Sequence, residues 1–241
     1  MLVSAGIVAA ALAVAGPIAA NAVTPPTVTS NTSTASAYGQ VVLTVDGFQP
    51  NEALTVTFDS SSLTTYADTG YTQGFADATG HYVAAAYLPG TATVGAHTIT
   101  VTGATTPAAT TPITVVAQPT AAANPSSVAL SSYLSKGVTA TFTGFAPGST
   151  VSFGISNPGM GDPAGPDAVV GASGVVSITY VPTAGSPFAN QGTYQLSAFT
   201  KSGNVLAQAA TFVVTPNAVV APTAPVAAPA APVKNTASFT G

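Results

Sequence analysis

The chain has no cysteine, no tryptophan and no arginine, and only ten of its 241 residues carry charge. Without cysteine there are no disulfides, no iron–sulfur clusters and no thiolate zinc sites. Three lysines (Lys136, Lys201 and Lys234) face seven acids (Asp46, Glu52, Asp59, Asp68, Asp77, Asp162 and Asp167). Three scattered lysines make no basic stripe to displace counterions from phosphates, so a nucleic-acid partner is excluded. His81 and His97 are the only histidines, and no G-x-S-x-G, H-E-x-x-H or P-loop pattern is present. Asp77 lies four residues before His81, but a turn residue and a strand start at that spacing do not by themselves converge. The reading is therefore not an enzyme, with no cofactor and no metal. Asp59, Asp68 and Asp77 lack the D-x-D-x-D spacing of a calcium loop and read as solvated loop carboxylates. So little charge leaves little like-charge repulsion between molecules, which suits a protein held on a scaffold or covered in sugar.

What is present is small, apolar and hydroxylated. The opening "MLVSAGIVAAALAVAGPIAANAV" is an apolar run broken at Gly16-Pro17 and closed by Ala20-Asn21-Ala22. Residues 1–22 thus read as a signal peptide cleaved after Ala22, although no Lys or Arg precedes the run. Cleavage would leave no stable membrane span. The rival is an uncleaved anchor, because Leu2 to Ala20 approaches the roughly 20 residues that a span needs.

From Val23 onward apolar and hydroxylated residues alternate with period two. Val41, Leu43 and Val45 share one face, as do Leu54, Val56 and Phe58; the pattern returns as Val138, Ala140 and Phe142, then Val151, Phe153 and Ile155. One buried and one wet face per strand is the signature of a two-sheet sandwich. No sustained helical period follows the leader.

The pattern repeats because the domain does. "TVDGFQPNEALTVTF" answers "TFTGFAPGSTVSFGI", "DATGHYVAAAYLP" answers "GASGVVSITYVP", and "GAHTITVTG" answers "GTYQLSAFT". The two strands of the second pair differ by one residue, which a β-bulge would absorb. Two all-β modules follow, at 23–117 and 118–215, each of about seven short strands spaced as in a Greek key. The Gly-Phe-x-Pro elements, Gly47-Phe48-x-Pro50 and Gly144-Phe145-x-Pro147, read as corners: glycine takes positive φ, proline fixes the turn, and the phenylalanine closes the core. Tyr194, two residues into a late strand, resembles the tyrosine corner of immunoglobulin-type sandwiches, and His97 holds the equivalent place in the first module.

The Pro- and Gly-rich stretch Asn157–Asp167, with Asp162 and Asp167, reads as a long end loop and a candidate recognition element. The Ser/Thr/Pro stretches "TVTSNTSTASAY" and "TGATTPAATTP" are candidate sites for O-linked glycans. Residues 216–241 are nearly all Ala, Val and Pro and read as a disordered, semi-rigid spacer.

The succession "GFQPNE…VTF", "ADATGHYVAAAYLP" and "VGAHTITVTG" resembles the Ig-like repeats of cell-surface proteins from high-GC Gram-positive bacteria. There a Gly-Phe-x-Pro-Gly-Glu turn, an Ala-Asp-x-x-Gly turn and a Gly-x-His/Tyr strand start recur in this order. The first module has Asn51 for the family's Gly; the second has Gly148-Ser149 for Gly-Glu and Gly171 for Asp. The resemblance covers roughly Tyr38 to Val214. It implies two tandem immunoglobulin-like Greek-key β-sandwiches acting as spacer or adhesion modules at the cell envelope. The implied partner is a cell-wall or extracellular polymer, or another surface protein. Proteins of this kind often end in a sortase signal, of which "SFTG" keeps only Thr-Gly. The same three elements also resemble the neocarzinostatin-type chromophore apoproteins, which would imply a secreted small-ligand or carbohydrate carrier. Those are single sandwiches with two disulfides, and this chain has two modules and no cysteine.

Overall fold

The computed structural model describes residues 25–218, so the expected leader and the tail from 219 onward lie outside the described residues. Two sandwiches follow one another. In the first, β1 (Thr27–Ser30), β3 (Gln40–Asp46), β7 (Tyr82–Tyr87) and β6 (Thr65–Ala67) form one sheet in the order β1-β3-β7-β6. The facing sheet has the order β2-β9-β8-β4-β5, from β2 (Thr34–Ser36), β4 (Leu54–Phe58), β5 (Ser61–Ser62), β8 (Gly95–Gly103) and β9 (Ala109–Val116). The chain changes sheet between β3 and β4 and again between β7 and β8, and β2 runs parallel to β9. This is immunoglobulin-like Greek-key topology.

The second sandwich repeats the plan. β10 (Thr120–Asn124), β12 (Val138–Thr143) and β15 (Val175–Tyr180) make a sheet in the order β10-β12-β15. It faces β11-β17-β16-β13-β14, from β11 (Ser127–Ala129), β13 (Thr150–Asn157), β14 (Met160–Val169), β16 (Gly192–Thr200) and β17 (Ala210–Thr215).

Alternation places the cores where expected. Val41, Leu43, Val45, Leu54, Val56 and Phe58 lie in one buried cluster; Val138, Ala140, Phe142, Val151, Phe153 and Ile155 lie in the other. Each fully buried Leu, Ile or Phe of these clusters contributes roughly 1.5–3 kcal/mol relative to exposure.

Three local expectations change. A short helix, α1 (Leu130–Lys136), stands between β11 and β12, capped by Gly137 at φ 72°. At seven residues it is too short to show a period, and what holds it is Tyr133, fully buried against Tyr194 and Phe212. The stretch Asn157–Asp167 is not a loop: most of it is the edge strand β14, hairpinned to β13 with Asn157 opposite Met160. Prolines 163 and 166 can sit there because an edge strand has a side that needs no N–H donor. Finally, β7 and β15 are equally long and pair without interruption; the register shifts occur between β13 and β14.

Candidate functional site

Gly47 and Gly144 adopt φ 80° and 109°, and Phe48 and Phe145 are 4% and 2% exposed at the ends of their cores. The second turn motif lies directly on the first. Phe48 N–H donates to the Gly80 carbonyl at 3.3 Å, and Gly144 N–H to the Gly174 carbonyl at 3.0 Å. A Cβ on Gly80 would lie 2.1 Å from the Phe48 carbonyl oxygen. Gly80 and Gly174 therefore serve this close backbone crossing, whereas a Cβ on Gly47 or Gly144 would meet Pro26 or Pro119 instead.

Tyr194 is buried and its hydroxyl donates to the Asn190 carbonyl, four residues upstream, at 2.9 Å. His97 makes the corresponding reach: its Nε2–H donates to the Thr93 carbonyl at 2.7 Å, also four residues upstream. Its Nδ1 faces Asp59 Oδ2 at 2.8 Å, and its ring stacks on Phe58 with centroids 4.8 Å apart. Both ring nitrogens meet acceptors, so the imidazolium is the form that satisfies both. The bond to Asp59 raises the His97 pKa most, burial opposes it, and the Thr93 carbonyl adds to the rise. Asp59 is held below the usual range by the same bond and by the Thr98 N–H. Through its two ring nitrogens His97 joins Asp59 to the Thr93 carbonyl. His81 pairs with Asp46 at 2.5 Å, while Asp77 folds onto its own turn through the backbone N–H of His81 and the N–H and hydroxyl of Thr79. Among the described residues no three His, Cys, Asp or Glu side chains come together. No helix there is long and apolar enough to cross a membrane.

One residue matters more than its sequence position suggested. Glu52 is 7% exposed, and no Lys stands in its turn. Its carboxylate accepts from Gln49 N–H, from the N–H and hydroxyl of Thr105, and from the N–H and hydroxyl of Thr106, at 2.5–2.9 Å. Burial pushes its pKa up, but the Thr106 hydroxyl and the three backbone N–H groups more than offset this and leave it at about 2. The link Ala104–Ala108 between β8 and β9 is thereby tied to the Gly-Phe-x-Pro turn of its own module. Glu three residues after Gln49, in a turn, was the legible signal; that five donors converge on it was not.

Of the candidate recognition residues, Asp162 lies opposite Ile155 on β14, and Asp167 takes Ser152 Oγ–H at 2.7 Å and Lys201 Nζ at 3.0 Å. The Ser152 hydroxyl, then the lysine, hold the Asp167 pKa down. Asn157 sits at the hairpin end, away from this pair. Beside β14 runs an open trough of about 580 Å³. Gly154, Ser156 and Ser197 are among its small lining residues, Phe199 lines it as well, and Asp162 and Asp167 lie on the β14 side.

A second feature joins the modules. The link Lys201–Ala209 between β16 and β17 is seated on residues 34–40 of the first module. Ser36 N–H donates to the Asn204 carbonyl and Gln40 N–H to the Gly203 carbonyl, both at 2.9 Å. Leu206 N–H donates to Ser36 Oγ and Asn204 Nδ2 to the Thr34 carbonyl, also at 2.9 Å. Ser36 is fully buried, and Gln118 bridges the Ala37 and Leu206 carbonyls at 3.3 Å.

No family model and no curated protein matches the chain. Solved structures similar to it include the D0-D1 domain of intimin (14% identity, 78% of this chain and 97% of that one, TM-score 0.28). The Yersinia pseudotuberculosis adhesin InvE is 16% identical over 78% of this chain and 58% of its own, with TM-score 0.28. The Escherichia coli adhesin FdeC is 17% identical over 79% and 64%, with TM-score 0.29. These neighbours are bacterial adhesins with Ig-like domains, and at such scores none of them assigns a role to any residue here.

Proposed function

We propose that the chain is an exported protein of a bacterial cell envelope, Gram-positive by the resemblance of its turn motifs. In this reading its two Ig-like modules are structural spacer or adhesion modules. The modules are those read from the sequence, 23–117 and 118–215, and the Gly-Phe-x-Pro turns with the His97 and Tyr194 corners are structural. The observation that carries the reading is the seating of the second module's hairpin on the first. Four main hydrogen bonds and a buried serine fix one module against the next, which is what a spacer requires and a pair of independent binders does not. Outer faces rich in Thr and Ser, with almost no charge, fit contact with a neutral wall or extracellular polymer. Fractionation of the native host with intact-mass analysis tests this. The reading expects the chain on the envelope, starting at Val23; recovery from the cytoplasm with the leader intact contradicts it.

A second reading, a secreted carbohydrate carrier, is favoured by the trough beside β14. Small residues leave room for a sugar ring, Phe199 offers a face to stack on, and serines and Asp162 offer hydrogen bonds. Under that reading Phe199→Ala abolishes calorimetric binding of neutral oligosaccharides; a native chain that binds none of a broad glycan panel removes it.

A further inference from the structure

The two modules own the same two parts, a β-hairpin link and a corner after the short parallel strand, and use them oppositely. We propose that the contact between them is a directional lock. The corner Thr34–Gln40 is an interaction surface for one kind of partner, a long hairpin tip carrying Gly-Asn, and the pair can make this contact only once.

The acceptor side is specific. Ser36 presents its N–H and hydroxyl, Thr34 and Ala37 present carbonyls, and Gly39 leaves room: a Cβ there would fall 2.0 Å from the Asn204 carbonyl oxygen. Pairing with β9 and β17 aligns Ser36 with Ala129 in the second module. Ala129 has no hydroxyl, and the chain that follows it is α1 rather than an open corner. Ser131 N–H, at the start of that helix, is already taken by Asn217 Oδ1 at 2.8 Å. The second module therefore has no equivalent surface to offer.

The donor side is equally specific. The second module's link, Lys201–Ala209, is nine residues, and the bridge Phe199–Leu206 continues the hairpin into it. Asn204 is oriented by Thr200, whose hydroxyl donates to its Oδ1 at 2.7 Å, which leaves Nδ2 for Thr34. The first module's link, Ala104–Ala108, is five residues, and Glu52 consumes the N–H and hydroxyl of both Thr105 and Thr106. At Glu52's position the second module has Ser149, whose hydroxyl turns back to the Ala146 carbonyl. The carboxylate that ties one tip down is missing where the other tip must reach out.

The absence of cysteine makes the test clean, because Ser60→Cys and Ser173→Cys place two unique spin labels on exposed turns of the full chain. Pulsed electron–electron distance measurement is expected to give one narrow inter-module distance. Deleting Ser202–Val205, which shortens the link to the first module's length, is expected to abolish the narrow peak while the amides of both cores stay protected. Ser36→Ala with Asn204→Ala, which leaves both hairpins intact in length, is expected to broaden it. A broad native distribution, or a narrow peak that survives the deletion, overturns the lock. Inserting a second copy of residues 118–215 directly after Thr215 tests the once-only rule: labels across the new junction are expected to show a broad distribution, and a narrow one overturns it.

Discussion

The two modules share a fold and differ at three places: their edge strands, the link between their last two strands, and the corner after their short parallel strand. The first has the short strand β6 beside β7 and only two residues of β5; among the described residues the second has no strand in the place of β6, and a ten-residue β14 stands in the place of β5. The first ties its β8–β9 link to Glu52; the second sends its β16–β17 link to its neighbour. The first leaves its corner open at Ser36-Ala37-Tyr38-Gly39; the second fills it with α1. A duplicated sandwich thus keeps its core and its turn glycines and becomes asymmetric by changing what its links bond to. Core packing demands the shared part, whereas a link needs only some partner for its backbone groups.

The comparison breaks most strongly in the cores. Phe48→Ala and Phe145→Ala remove matching lids, and each is expected to destabilise its own module by about 3–5 kcal/mol. Amide exchange read separately in the two cores checks that each loss stays local.

Next comes the residue that has no counterpart. Glu52→Ala leaves five donors without their acceptor and is expected to melt the first module well before the second, whose transition should not move. Its pH signature has a definite sign. The folded pKa is depressed to about 2, so its stabilisation is present above the ordinary carboxyl value near 4.5 and is lost as pH falls toward 2. Acid unfolding of the first module should shift to higher pH or disappear as a separate event in Glu52→Gln.

The corners give smaller effects. Tyr194→Phe loses the bond to the Asn190 carbonyl and is expected to cost the second module about 1 kcal/mol, measured by chemical denaturation. For the first module the corner titrates instead. His97 has a raised folded pKa, so its contribution is complete below the ordinary imidazole value of 6.5 and is lost as pH rises through the folded value. Asp59 is depressed, so its share appears above 3.8 and fades as pH falls. The pair therefore favours the first module most between those two values. A melting profile of the native chain should decline as pH rises above 6.5 and through the raised His97 value, and His97→Tyr, which supplies a hydroxyl that does not ionise there, should remove the decline.

Much of this was legible because it is periodic or conformationally demanding. Alternation put Val41, Leu43 and Val45 inside, and a turn that requires positive φ named Gly47 and Gly144. Asn51 at φ 57° holds the place where the resembling family has glycine, a substitution asparagine tolerates. What was not legible is set by long-range partners. α1 is seven residues, about two turns, held by the burial of Tyr133, and leaves no period to read. The stretch around Pro163 and Pro166 carries every sign of a loop and becomes a strand because it lies at an edge. Glu52 reads as one more surface acid until the link 53 residues away closes over it. The seat of Asn204 on Thr34 spans 170 residues and has no local signature at all.

The most direct measurement is amide hydrogen exchange at Ser36, Gln40 and Leu206 in the full chain. Each donates across the contact between modules, to Asn204, Gly203 and Ser36 respectively. The account predicts that all three are protected in the native chain, and that all three exchange freely once Ser202–Val205 is deleted, while Thr105 and Thr106 keep the protection that Glu52 gives them. Free exchange at Ser36 and Gln40 in the native chain, with β2 and β3 otherwise protected, would contradict it.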